Sequence, residues 1–159
     1  MKNASLIFLL SFLVVLTSCN NQTITSYNNT IVAAHEELLK INQDFSSQYE
    51  VFIGKPKSKA QFQKLIAATK TKIAEAKKPV EALIPINDEG MRAKVLDMFL
   101  AYNNTMYVFN LKSDMITNPA NKEEALMLFL TEFQKLKTLD DEIREIQITY
   151  AQNNNSQLR

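Results

Sequence analysis

The residues that could do chemistry are few: the chain has one histidine, one cysteine and no tryptophan. His35 opens the run His35-Glu36-Glu37-Leu38-Leu39, which holds the first half of a zinc-protease motif and lacks its second histidine. A ferritin-like di-iron site needs Glu-x-x-His on two helices, so a single histidine excludes it. His35 is therefore a weak metal candidate, one axial ligand of a haem with Met91, Met98 or Met106 opposite. Methionines at helical spacing more often fill core volume. No Cys-x-x-Cys-His occurs, which excludes a covalently attached haem.

Carboxylates come in neighbouring groups: Glu36-Glu37, Asp88-Glu89, Glu123-Glu124 and Asp140-Asp141-Glu142. Adjacent residues on a helix point about 100° apart, so they do not converge on one proton or one metal. Those at helix starts offset the helix dipole instead. No catalytic residue is named on this basis, and a non-enzymatic role is expected.

Charge suggests a surface. The formal net charge is only +1, yet eight lysines between Lys55 and Lys78 meet the single acid Glu75. Lys64, Lys70 and Lys77 are candidates for contact with anionic lipid or lipopolysaccharide. The competing explanation is a solvated helix, because the lysines surround the element rather than line one side. Phe99, Tyr102, Tyr107, Phe109, Phe129 and Phe133 form an aromatic group that lines either a core or a hydrophobic cavity. Tyr102 and Tyr107 are its candidates for a ligand or partner surface.

The front of the chain places these residues in a compartment. Met1 and Lys2 precede an apolar run from Leu6 to Leu16, which ends in Leu16-Thr17-Ser18-Cys19. A charged start, a short apolar stretch and small residues before a cut site are the parts of a secretory signal. A spanning helix needs about 20 apolar residues, and this run is shorter. Leu-Thr-Ser-Cys resembles the lipobox of bacterial lipoproteins, which implies cleavage before Cys19 and lipid on its thiol. Asn20 follows where inner-membrane retention favours aspartate, and no acid precedes Glu36. The resemblance thus implies the outer membrane, facing the periplasm. Nucleic acid is not expected as a partner, no cofactor is expected beyond the covalent lipid, and no disulfide is possible once Cys19 is used.

The elements that must position everything else are helices. Only Gly54, Gly90, Pro56, Pro79, Pro85 and Pro119 punctuate the chain. Residues 1–18 read as a signal peptide, 19–26 as a lipidated tether, 27–151 as a bundle and 152–159 as a fraying tail. Helix one is predicted from Thr25 to Phe52, on the stripe Ile24, Tyr27, Ile31, Ala34, Leu38, Ile41 and Phe45. Helix two is predicted from Ser58, with a Ser58/Gln61 capping box and a kink or early end caused by Pro79. Helix three should start at Asn87 or Asp88 and extend to Ile116. Helix four should start near Asn118 or Asn121 and bury Leu126, Phe129, Leu130, Phe133, Leu136, Leu139, Ile143, Ile146 and Tyr150. Short turns between four amphipathic helices predict an all-α, antiparallel up-down-up-down four-helix bundle.

The runs Tyr27-Asn28-Asn29-Thr30-Ile31-Val32, Lys78-Pro79-Val80 and Asp97-Met98-Phe99-Leu100-Ala101-Tyr102 are similar to a group of small uncharacterised lipoproteins of Bacteroidota and spirochaetes. The similarity covers most of the chain after Cys19. It implies a four-helix bundle in the cell envelope and carries over no catalytic residue. The expected role is a membrane-anchored module that binds an envelope protein or an amphipathic ligand.

Overall fold

The computed structural model describes residues 22–153, and every regular element there is helical. Four long helices, α1 (Ile24–Tyr49), α2 (Lys59–Glu81), α3 (Met91–Leu111) and α5 (Lys122–Asn153), are joined by 3-10 turns and by the short α4 (Ser113–Thr117). The expectations for the signal peptide, for Cys19 and for the tail beyond Asn153 lie outside the described residues.

α1 starts earlier than the sequence suggested. Thr23 Oγ1 accepts from the Ser26 amide at 3.0 Å, and Ser26 Oγ accepts from the Thr23 amide at 2.9 Å. This capping box satisfies two otherwise orphaned donors and turns residues 24–26 from tether into helix. Gln22 is fixed as well: its side chain donates to the Ile84 carbonyl at 2.7 Å and accepts from the Ile84 amide at 2.9 Å. The stripe expected for α1 is buried from Tyr27 to Phe45 and is extended by Tyr49, whereas Ile24 at its start is 56% exposed. Its α-helical part stops at Tyr49, and Glu50–Phe52 tightens into a 3-10 turn. Gly54 then takes φ +66° and donates its amide to the Ile116 carbonyl at 2.9 Å.

α2 starts at Lys59, and the Ser58/Gln61 capping box does not form. Ser58 Oγ donates to the Lys55 carbonyl at 2.6 Å, which uses the hydroxyl inside the preceding turn. Nor does Pro79 end the helix early. α2 continues to Glu81 because Pro79 lies in its last turn, followed by fully buried Val80. α3 starts at Met91 rather than at Asn87 or Asp88, because Glu89 and Gly90 turn left-handed at φ 55° and 86°. Asp88 caps from outside: its carboxylate accepts from the Gly90 amide at 3.1 Å and from the Arg92 amide at 2.8 Å. α3 breaks at Lys112, so Ile116, buried as expected, is on α4, and Leu111 is exposed.

α5 buries most of its expected stripe, with Phe129, Phe133, Leu139 and Ile146 half-buried against the core, and departs from it in its first turns. Ala125, Leu136, Ile143 and Tyr150 point inward, while Leu126 and Leu130 are 42% and 59% exposed. The small side chain of Ala125 lets Tyr49 approach, and the Tyr49 hydroxyl donates to the Ala125 carbonyl at 3.0 Å. That contact sets the helix rotation and leaves Leu126 and Leu130 outside.

The two ends differ in character. One gathers Gln22 with Ile84, Tyr27 with Asp88, and Asn153, whose amide donates to Glu89 at 2.6 Å. The other is an aromatic block: Phe45 stacks on Phe109 at 5.5 Å, Tyr49 meets Phe129 at 4.6 Å, and Phe62 meets Tyr49 edge-on at 5.7 Å. Such pairs add about 0.5–1.5 kcal/mol each beyond their buried area. α1 packs on α2, α2 on α3 and α3 on α5, but the backbones of α1 and α5 barely come within 8 Å of each other.

A cleft between the first and last helices

The poor approach of α1 and α5 leaves an open cleft of about 1020 Å³ along their seam. α1 supplies Ile24, Asn28, Val32, His35 and Leu39, and α5 supplies Arg144, Gln147, Ile148 and Ala151. Met91 and Tyr150 lie beneath, almost fully buried. The volume is in the range of small-molecule sites, about 300–1,000 Å³. Aromatic contacts close the seam toward the far end, where Phe45 faces Phe133 at 6.5 Å. At the near end the cleft's lining reaches Ile24 and Thr25, just past the capping box.

His35 forms the inner wall. Its Nε2 lies 2.8 Å from Asp140 Oδ1, and Arg144 Nε donates to the other Asp140 oxygen at 3.1 Å. Burial lowers the His35 pKa from its ordinary 6.5, against the opposing pull of Asp140. The neutral ring therefore donates from Nε2 to the carboxylate. That bond occupies the nitrogen a haem would need, and Met91, Met98 and Met106 are buried core residues.

Two polar atoms in the cleft are buried without a hydrogen-bond partner: Asn28 Oδ1 and Gln147 Nε2. The Asn28 side chain also hydrogen-bonds the Tyr150 hydroxyl, which fixes its orientation. Neither amide stands out in the sequence, because a polar residue on the flank of an apolar stripe reads as surface.

The other sequence candidates are scattered. Tyr102 is 2% exposed and belongs to the core, with burial raising its pKa, so it is not part of a surface. Tyr107, five residues further on, is 61% exposed on the outer side of α3. Among the lysines, Lys64 and Lys70 are exposed and make no ion pair with the described residues. Lys77 pairs with Glu81 at 2.7 Å, Lys72 with Asp44 at 3.4 Å and Lys78 with Glu75 at 2.7 Å. Phe109, Phe129 and Phe133 pack together in the aromatic block.

The carboxylates diverge, as the helical spacing requires. Asp140 turns to His35, Asp141 to Lys137 at 3.4 Å and Glu142 to Lys94 at 2.7 Å. Among the described residues, no three histidine, cysteine or acidic side chains are grouped to hold a metal. Two acids among the described residues are buried: Asp88, expected at a helix start rather than in the interior, and Glu132, which the sequence did not mark. Asp88 accepts from the Tyr27 hydroxyl at 2.5 Å, and Glu132 accepts from Thr105 at 3.2 Å and from Lys135 at 2.5 Å. Among the described residues, no helix is long and apolar enough to cross a membrane. Searches of family models, curated proteins and solved structures find no match to the chain.

Proposed function

We propose that this protein is a lipid-anchored module of the bacterial cell envelope, built as an antiparallel up-down-up-down four-helix bundle, and that it binds an amphipathic ligand in the α1/α5 cleft without catalysing a reaction. The observation that carries the reading is the cleft itself, lined by apolar and polar side chains and reaching Ile24 near the end where Gln22 meets Ile84. Lipidation of Cys19 supports it through chain geometry. Three residues span at most about 10 Å, so a lipid on Cys19 keeps that end of the cleft close to the membrane. The lipobox and the similarity to small envelope lipoproteins point the same way, to an outer membrane and a periplasmic face. Several acyl chains anchor firmly where one does not, at about 0.8 kcal/mol per buried methylene.

The test is made in the native host. Protein recovered from membranes should carry a non-covalent ligand that Val32→Trp, which fills the cleft, removes while the helical fold persists. Equal ligand recovery from both forms contradicts the reading. A second reading keeps His35 as an axial haem ligand, because His35 and Met91 line the same cleft. It requires Asp140 to release Nε2, and a Soret band in the freshly purified native protein would establish it.

A further inference from the structure

We infer that the ligand of the α1/α5 cleft is an alkyl chain bearing a neutral secondary amide, an inference that rests on the cleft being the binding site. Two orphaned atoms belong to residues that line the cleft. Asn28 Oδ1 is an acceptor in need of a donor, and Gln147 Nε2 is a donor in need of an acceptor. Native proteins leave few buried polar atoms unpaired, so two of opposite kind in one cleft point to a missing complement.

A secondary amide supplies that complement on adjoining atoms, its N–H to Asn28 and its carbonyl to Gln147. An ester or carboxylate lacks the donor, and an ammonium lacks the acceptor. Charge does not select a charged head, because the ionic side chains at the lip, Glu36 and Arg144, are of opposite sign and Arg144 is held by Asp140. Val32, Leu39, Ile148 and Ala151 provide apolar wall for the alkyl part.

The experiment uses the full lipidated chain in phosphatidylcholine nanodiscs, with ¹⁵N detection of the Asn28 and Gln147 side-chain amides. The probes are N-methyloctanamide, methyl octanoate and 1-octanol. N-methyloctanamide should shift both signals saturably and bind about tenfold more tightly than the ester, the discrimination expected when a buried donor or acceptor goes unmatched. The alcohol should fall short as well, since it presents donor and acceptor on one atom. In a variant carrying Asn28→Leu and Gln147→Leu, whose helical signature is checked first, amide and ester should bind alike. Equal binding of amide and ester to the unmodified chain overturns the inference. So does the lack of a saturable shift, with water alone satisfying the two atoms. If the amide and the ester tie but Val32→Trp still blocks both, the ligand class is wrong and the cleft stands. If Val32→Trp blocks neither, the cleft reading itself fails.

Discussion

Tyr27 and Asp88 are far from each other in sequence and in direct contact in the fold, at the end where Gln22 meets Ile84. Asp88 is 7% exposed and accepts from Tyr27, from the Gly90 amide and from the Arg92 amide. Burial, and then this bond, raises the Tyr27 pKa, so the phenol stays a donor. Hydrogen bonds to a charged acceptor contribute about 1.5–3 kcal/mol each, and a stranded buried hydroxyl adds its own cost. Tyr27→Phe should therefore destabilise by about 1.5–3 kcal/mol, and Asp88→Ala, which loses three such bonds, by more. The double variant should lose less than the sum, and a urea double-mutant cycle with no coupling would refute the pairing. His35 gives a pH dependence. Its folded pKa lies below the unfolded 6.5, so the unfolded chain takes up the proton first as pH falls. Stability should be full above 6.5 and decline as pH falls through the window beneath it. His35→Gln keeps a donor to Asp140 and removes the titration, so urea midpoints at pH 7.5 and 5.0 should lie closer together in that variant. An unchanged gap contradicts the assignment.

Among the elements, α1 and most of α5 were legible in the sequence, and the first turns of α5 were not, for a physical reason. α1 repeats its apolar residues by threes and fours on one side only, so its period fixes the inward face. α5 carries Leu126, Met127, Leu128, Phe129 and Leu130 in succession, apolar on every side, and periodicity cannot choose among them. The choice falls to the Tyr49 to Ala125 contact, between residues 76 apart. Turn residues were legible by position and misread in detail. Gly90 has open space where a side chain would project, whereas a Cβ on Gly54 would sit 2.6 Å from Lys122 Cε and 3.2 Å from Pro119 Cα. Both glycines have positive φ, so each Gly→Ala change carries a left-handed penalty of about 1–2 kcal/mol. Gly54→Ala adds a backbone collision and should lower the melting temperature more than Gly90→Ala; the reverse order would count against this packing. On α2, Lys64 and Lys70 are the lysines expected to meet anionic lipid that make no ion pair among the described residues. Replacing both with glutamate should weaken binding to anionic vesicles at low salt and leave zwitterionic vesicles unaffected. Unchanged binding removes that surface from the account.

For the whole molecule, the cleft was invisible in the sequence because it depends on how far the first and last helices stand apart. That spacing is set by His35 with Asp140, 105 residues away, and by the aromatic block at the far end. The sequence carries the other half of the proposal, a run Leu16-Thr17-Ser18-Cys19 that resembles a lipobox and, if lipidated, would tether the Gln22 end of the chain to a membrane. The two halves meet at residue 19. The most direct measurement is the intact mass of the protein extracted from its native membranes. The account predicts a chain that begins at Cys19 and carries diacylglycerol on the thiol. A free thiol at Cys19, or a chain still bearing residues 1–18, would contradict it.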